Sequence, residues 1–108
     1  MNDKKPFNQI PLKSELAASL KEMSFESMTP IQEMALPYIL DSHDLIAQAK
    51  TGSGKTYAFG LGILNFIDES VFKNQALILC PTRELADQVA SDLRNLGRKI
   101  ENLKIGTL

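Results

Sequence analysis

The chain has 108 residues, of which 44% are hydrophobic and 23% charged, a balance typical of one globular domain rather than of a disordered segment. Its 12 Lys and Arg residues stand against 13 Asp and Glu residues, so no global basic field points to nucleic acid. The single cysteine, Cys80, excludes an intramolecular disulfide, and no apolar run reaches the roughly 20 residues of a membrane-spanning helix, so we expect a cytoplasmic protein.

Residues 1–11 are polar and contain two prolines, so they are expected to form an extended lead-in with Phe7 as an anchoring side chain. Apolar residues then recur every three or four positions from Leu12 to Met23, which predicts an amphipathic helix that packs against a core. The apolar face of this helix consists of Leu12, Leu16, Leu20 and Met23.

A second helix is expected to begin after Thr29 and to run to about Leu40. Thr29 is a favourable N-cap, Pro30 suits the first helical position, and Gln32 completes a capping box. Local structure alone therefore explains Gln32. The alternative is that its amide, which donates and accepts side by side, binds the edge of an adenine base. One side of this helix carries Ile31, Met34, Ala35 and Tyr38.

The most specific motif runs from Ala49 to Thr56 and reads Ala-Lys-Thr-Gly-Ser-Gly-Lys-Thr. A short apolar stretch, 44–48, precedes it and is expected to form a strand, and a helical pattern over 57–68 follows it. A strand, a glycine-containing turn, Lys-Thr and a helix make the phosphate-binding loop of nucleotide hydrolases.

The residue types of this loop suit phosphate binding. Gly52 and Gly54 let backbone N–H groups face phosphate oxygens, and the helix that starts near Lys55 adds its positive dipole end. Lys55 would reach the β- and γ-phosphates, and the Thr56 hydroxyl would ligate Mg²⁺. Ala49 stands where the strict pattern has glycine, so it must keep a negative φ. The other loop residues expected at the nucleotide are Lys50, Thr51 and Ser53.

The apolar run 76–80 predicts a second, buried parallel strand, joined to the first by a right-handed crossover. The segment 81–83 leaves the carboxyl end of that strand, which is the edge where open α/β sheets bind ligands. Thr82 would cap a helix that ends near Gly97. Arg83 is either a solvated helix residue or part of a site that holds a nucleic-acid backbone. The buried face of this helix would be Leu85, Val89, Leu93 and Leu96.

A third strand is expected over 104–108, where the given chain ends. Strands that alternate with helices predict an α/β fold with parallel strands and flanking helices, interrupted after the third strand. Cys80 is expected to be a small buried apolar residue, since no catalytic base lies near it in sequence.

Together these stretches resemble the N-terminal part of a DEAD-box ATP-dependent RNA helicase. Phe25 and the segment 28–32 match the family's Q motif, 49–56 matches its motif I with the family's own alanine, and 81–86 matches motif Ia. Ser24 replaces the glycine that usually opens the Q motif. The runs 47–62 and 75–89 are most similar to the bacterial DbpA-like branch, which is associated with ribosome assembly.

The resemblance implies a partial RecA-like P-loop NTPase fold, with residues 1–108 as the N-terminal portion of the first helicase domain. It also implies ATP and Mg²⁺ as cofactors and RNA as the partner. Gln32 would hydrogen-bond adenine, Phe25 would pack on the base, and Phe7, which matches the family's isolated upstream aromatic, would support the pocket. The residues that contact the RNA sugar-phosphate backbone would be Pro81, Thr82 and Arg83.

The 108 residues contain neither the Asp-Glu-Ala-Asp motif, which the family uses to hold Mg²⁺ and orient the attacking water, nor a Ser-Ala-Thr motif. We therefore expect the isolated chain neither to hydrolyse ATP at a useful rate nor to unwind RNA, because phosphoryl transfer depends on positioning and charge neutralisation. Two alternatives to a partial helicase remain. One is a stand-alone module that binds nucleotide and RNA without chemistry. The other is a small nucleotide kinase in which Gln32 has no role.

Overall fold

Four α-helices pack around one apolar core in the computed structural model, which describes residues 6–48 and 54–108. A short 3₁₀ turn, Phe7–Gln9, precedes them. None of the described helices is both long and apolar enough to cross a membrane. The helices are α1 (Ser14–Glu22), α2 (Pro30–Leu40), α3 (Lys55–Phe66) and α4 (Arg83–Leu96).

Helices α1 and α4 bury the faces that their apolar spacing predicts, with one exception. Leu16 and Leu20 of α1 are fully buried, and the C-terminal half of α4 contributes Val89, Leu93 and Leu96 to the same core. Leu85 was expected to join them, but it lies exposed in the first turn of α4. The apolar face of α4 therefore begins one turn later than the sequence pattern indicates.

Helix α2 turns a different face inward from the one suggested by its apolar residues. Met34 is 70% exposed and Tyr38 is 55% exposed, so the grouping of these two with Ile31 and Ala35 does not describe the buried side. The buried residues are Gln32, Ala35 and Leu36. The reason is that the polar Gln32 side chain finds hydrogen-bond partners inside, which makes its burial favourable and sets the rotation of the helix.

The three predicted strands are not confirmed. Within the described residues, the segments 43–48, 74–80 and 103–108 have no regular secondary structure, and the one β-bridge joins Pro6 to Ser27. Extended-chain alternation is still visible over 76–80. Ile78 and Cys80 are partly buried against the core, whereas Leu77 and Leu79 are more than three-quarters exposed. The run was expected to be buried on both faces, but no described element covers its second face.

The N-terminal lead-in is fastened to the far end of α3 by two side chains. The backbone N–H of Lys13 donates to Asn65 Oδ1 at 2.8 Å, and Asn65 Nδ2 donates to the Pro11 carbonyl at 3.4 Å. The Lys13 ammonium donates to the carbonyl of Ile67, just past the end of α3, where a positive charge complements the helix dipole. Helix α3 therefore has one end at the lead-in and begins, at its other end, directly after Gly54.

Helices α2 and α3 approach each other closely at Gly62. A Cβ at this position would overlap Ile39 Cγ2 of α2, and the β-branched Ile39 has little freedom to move away. We expect Gly62→Ala to lower the free energy of unfolding by about 1 kcal/mol, since overpacking outweighs the gain in helix propensity.

Urea unfolding followed by circular dichroism measures this effect. Gly106→Ala is the matched control, because a Cβ there meets no atom within 4 Å. The control should leave the midpoint unchanged or raise it slightly. Equal destabilisation by the two substitutions would contradict the proposed close packing of α2 on α3.

Candidate nucleotide-binding site

The Gln32 side chain joins the start of α2 to the start of α3. Its Oε1 accepts the backbone N–H of Thr29 at 2.9 Å, and its Nε2 donates to the carbonyl of Gly54 at 3.1 Å. Only 3% of Gln32 is exposed, so these two bonds satisfy an amide that would otherwise be costly to bury. The capping residue predicted from sequence is therefore also a bridge to a segment 22 residues further along the chain.

Gly54 is constrained by both conformation and space. Its φ of +91° lies in the left-handed region, which residues with a side chain rarely adopt. A Cβ built at this position would lie 2.5 Å from Gln32 Nε2 and 3.0 Å from Thr29 Oγ1. The Thr29 hydroxyl faces the Gln32 backbone in the capping-box arrangement, but it is buried and makes no hydrogen bond of normal geometry within the described residues.

The start of α3 fits an anionic ligand. Gly54 precedes the helix and carries no side chain, so within the described residues no side chain caps α3, and its positive dipole end suits an anion. The first two helical residues are Lys55, which is exposed, and Thr56, which is partly buried. The other expected loop residues, Ala49, Lys50, Thr51, Gly52 and Ser53, lie outside the described residues.

The donor set also indicates how a metal ion would be held. Among the described residues, no group of three or more His, Cys, Asp or Glu side chains could form a metal site. Mg²⁺ is usually bound by one or two protein oxygens together with substrate phosphates and water. The Thr56 hydroxyl suits one such position, and phosphate oxygens would have to supply others.

Two aromatic residues pack beside the site. The rings of Phe25 and Tyr57 meet edge to face, with centroids 5.0 Å apart and planes at 79°. Burial raises the pKa of the Tyr57 phenol, and the negative charge of Asp92 and a hydrogen bond with its carboxylate raise it further. Phe7 is only 6% exposed and belongs to the core, and its backbone N–H donates to the Glu26 carbonyl at 3.2 Å.

The residues expected to contact RNA lie at the N-terminus of α4. Pro81, Thr82 and Arg83 are all exposed at the start of α4. Thr82 caps this helix as predicted, because its Oγ1 accepts the backbone N–H of Leu85 at 3.1 Å. The Arg83 guanidinium is therefore presented to solvent beside a capped helix N-terminus.

The structure thus brings Gln32, Gly54, Lys55 and Thr56 together at the junction of α2 and α3, with Phe25 nearby, and leaves 81–83 exposed at the start of α4. Sequence reasoning missed Tyr57. It follows the predicted loop 49–56 directly, which could have drawn attention to it, but no local pattern connects it to Phe25, 32 positions earlier in the chain.

A family model described as DEAD/DEAH box helicase matches residues 29–108, which is about three-quarters of the chain. The chain belongs to this family. It is 61% identical over 90 residues to the ATP-dependent RNA helicase DbpA of Escherichia coli K12, across 83% of this chain and 20% of that protein. It is 48% identical over 91 residues to the helicase CshA of Listeria monocytogenes, across 84% and 18%. The chain spans about a fifth of the length of these DEAD-box relatives.

Solved DEAD-box structures have the same fold over this region. A DEAD box protein from the hyperthermophile Methanococcus jannaschii superposes with a TM-score of 0.80 at 37% identity, over 84% of this chain and 25% of that one. S. cerevisiae Dbp5 bound to RNA and ADP BeF3 superposes with a TM-score of 0.82 at 36% identity, over 90% and 25%. These likenesses are consistent with the predicted α/β class.

Replacing Gly54 tests the contact with Gln32. We expect Gly54→Ala to lower the free energy of unfolding by about 1–2 kcal/mol, because an alanine is strained at positive φ and its Cβ would collide with the Gln32 amide. Chemical denaturation of the wild type and the variant measures the difference.

A double variant separates the two causes. In a Gln32→Ala background the amide is gone, so Gly54→Ala should cost measurably less than it does in the wild type. An identical loss of unfolding free energy in both backgrounds would show that an alanine side chain at position 54 does not contact Gln32.

Proposed function

We propose that this chain is the ATP- and RNA-binding N-terminal portion of the first RecA-like domain of a DEAD-box ATP-dependent RNA helicase. The observation that carries the proposal is the hydrogen bond from Gln32 to Gly54, which connects the Q motif to the last glycine of motif I. The family membership and the likeness to Dbp5 bound to RNA and ADP BeF3 support it. The 61% identity to DbpA favours a DbpA-like protein, with ribosomal RNA as the substrate class.

The start of α3 would bind the nucleotide phosphates. Backbone N–H groups at the helix N-terminus and the loop 49–53 would surround the phosphate oxygens, and the exposed Lys55 would neutralise their charge. Bound Mg²⁺ would supply further charge neutralisation, with the Thr56 hydroxyl as its protein ligand. The Thr29 hydroxyl beside Gly54 has no hydrogen-bond partner of normal geometry among the described residues, so it adds a polar atom that a bound nucleotide would satisfy directly or through water.

Gln32 has the capacity to select adenine while it keeps its structural bonds. A side-chain amide offers two N–H donors and two acceptor lone pairs, and its bonds within the described residues, to Gly54 and Thr29, use one of each. The remaining donor and acceptor match the N7 acceptor and the N6 amino group of adenine. Guanine presents two acceptors at the same edge, so it can satisfy only the donor. The proposed site therefore prefers ATP to GTP.

The proposed RNA contact is limited to the backbone. The exposed Arg83 and the start of α4 would bind phosphate oxygens, and such contacts position a nucleic acid without reading its sequence. Pro81 and Thr82 would contact the sugar-phosphate backbone from the adjacent turn.

These 108 residues by themselves are proposed to bind ATP without hydrolysing it. They contain no Asp-Glu-Ala-Asp motif to orient an attacking water. Lys55 and Thr56 supply part of the charge neutralisation that phosphoryl transfer needs, and the acid and the water-orienting group must come from other residues. Phosphate release by the isolated chain should therefore not exceed that of its Lys55→Ala variant.

Nucleotide competition tests the proposed adenine selectivity. A fluorescent ADP analogue bound to the chain is displaced with ATP or GTP, and the two inhibition constants are compared. We expect Gln32→Ala to reduce the preference for ATP over GTP by roughly 10-fold, which corresponds to the free energy of about one hydrogen bond. Lys55→Ala should weaken the binding of both nucleotides by at least about 10-fold, because it removes a positive charge at the phosphates.

Gln88→Ala is the matched control for this test, because Gln88 is an exposed glutamine on α4. It should leave the preference for ATP unchanged. A preference that survives Gln32→Ala would contradict the adenine role and would favour a nucleotide kinase that uses the loop alone.

Salt-dependent RNA binding tests the proposed backbone contact. Fluorescence anisotropy measures the binding of labelled poly(U) and of a mixed-sequence single strand. We expect Arg83→Ala to weaken the binding of both RNAs by a similar factor and to reduce the slope of the logarithm of the binding constant against the logarithm of salt concentration by about 1.

Arg94→Ala provides the comparison, since Arg94 lies near the opposite end of the same helix and its Nη2 donates to the Ile105 carbonyl. A larger loss of RNA affinity from Arg94→Ala than from Arg83→Ala would place the RNA contact at the C-terminal end of α4 and would contradict the proposal.

A further inference from the structure

A basic hollow lies at the C-terminal end of α4. Its volume is about 400 Å³, which is within the range of ligand pockets. Arg94, at its edge, follows Arg83 by about three helical turns, which corresponds to about 16 Å along α4. The hollow is therefore separate from the residues proposed to bind RNA. Its wall combines cationic with aliphatic side chains. These are Arg94, Arg98 and Lys104 on one hand, and Ile100, Leu103 and Ile105 on the other.

Positive charge is concentrated here, although the whole chain has a net charge of −1. Residues 94–104 include four of the 12 Lys and Arg residues and a single acidic residue, Glu101. Glu22 of α1 offsets part of this charge, because its carboxylate pairs with Arg98 and its Oε1 lies 3.1 Å from Lys99 Nζ. Among these described residues, four cations face two carboxylates, so the surroundings of the hollow keep an excess of positive charge.

Both guanidinium groups of the hollow are held by hydrogen bonds. Arg94 Nη2 donates to the Ile105 carbonyl at 2.9 Å, and Arg98 Nη2 donates to Glu22 Oε2. A guanidinium has five N–H donors, so each of the two keeps further donors beyond the contact that the described residues provide. Because the groups are already positioned, they lose little side-chain entropy when an anion binds.

The aliphatic part of the wall limits the class of anion. Ile100 is buried, and Leu103 and Ile105 are partly buried, so apolar surface adjoins the cations. None of the lining residues that the structure describes is aromatic. Sites for single-stranded nucleic acid combine cations with aromatic side chains on which the bases stack, and this hollow offers no such side chain. A carboxylate fits the guanidinium fork, and an aliphatic side chain next to it would contact the apolar wall.

We propose that the hollow binds an acidic peptide segment of a protein partner, one in which aliphatic residues accompany Asp and Glu. Charge complementarity supports this occupant: Arg98 and Lys104 would pair with its carboxylates, and the apolar wall would contact its aliphatic side chains. The inference is independent of the proposed function, because neither nucleotide nor RNA takes part in it.

The arginine side chains allow a direct test, because the chain has three arginines, Arg83, Arg94 and Arg98. Their Nε–Hε resonances are followed by NMR and are assigned with single Arg→Lys variants. The probe is the peptide Asp-Glu-Leu-Asp-Glu-Leu-Asp-Glu, and poly(U) is added to a second sample. We expect the peptide to shift the resonances of Arg94 and Arg98 and to leave Arg83 in place, whereas poly(U) should shift Arg83.

Fluorescence anisotropy with the labelled peptide measures the contribution of the exposed Lys104. Lys104→Gln should weaken the binding of the peptide about fivefold, the upper end for one exposed ion pair. Lys104→Arg keeps the charge and should stay within about twofold of the wild type. Lys73→Gln is the matched control, since it removes the same charge from an exposed position outside the hollow. It should also stay within about twofold.

Probe variants test the two parts of the wall. A peptide with Asn and Gln in place of Asp and Glu should bind more weakly, and so should one with Gly in place of Leu. Equal binding of the neutral peptide, or no saturable binding below about 1 mM, would overturn the proposal. A shift of Arg94 and Arg98 by poly(U) but not by the peptide would make the hollow a nucleic-acid site and would also overturn it. If poly(U) leaves Arg83 unmoved, the proposed RNA contact fails while this inference stands.

Discussion

The buried amide of Gln32 is the interaction on which the described structure depends most. Its two hydrogen bonds, to the Thr29 N–H and to the Gly54 carbonyl, hold the start of α2 and the start of α3 at one point. A buried amide without these partners would cost about 1–3 kcal/mol, a large fraction of the stability of a small domain. The same requirement explains why a polar residue, and not Met34 or Tyr38, occupies the inner face of α2.

Gly54 is the counterpart of this amide. It must be a glycine because its φ is positive and because Gln32 and Thr29 occupy the space where a Cβ would stand. As a result, no side chain of the described residues caps α3, and the Lys55 side chain is exposed at its start. In this DEAD-box chain, one packing constraint therefore joins the Q motif to motif I and also leaves the helix terminus available for the proposed ligand.

Helix α3 connects this point to the rest of the molecule. Asn65 and Lys13 fasten its far end to the lead-in, Gly62 brings it against α2, and Gly60 brings it against α4. Small residues on two faces allow close approach of both neighbours, so the helix that follows the phosphate-binding loop is held along its length. Such close contacts leave α3 little room to shift against either neighbour.

The sequence by itself determined the helices, the capping residues and the family. The caps at Thr29 and Thr82, the bounds of α2 and the contiguous motifs follow from local chemistry, which acts between residues a few positions apart. Only the tertiary structure decided which face of α2 is buried, that Leu85 is exposed, that one face of the run 76–80 lies open, and that Tyr57 packs against Phe25. These outcomes depend on partners distant in sequence. A polar residue such as Gln32 is buried when a segment distant in sequence supplies its hydrogen-bond partners, and the local sequence does not show which segment that is.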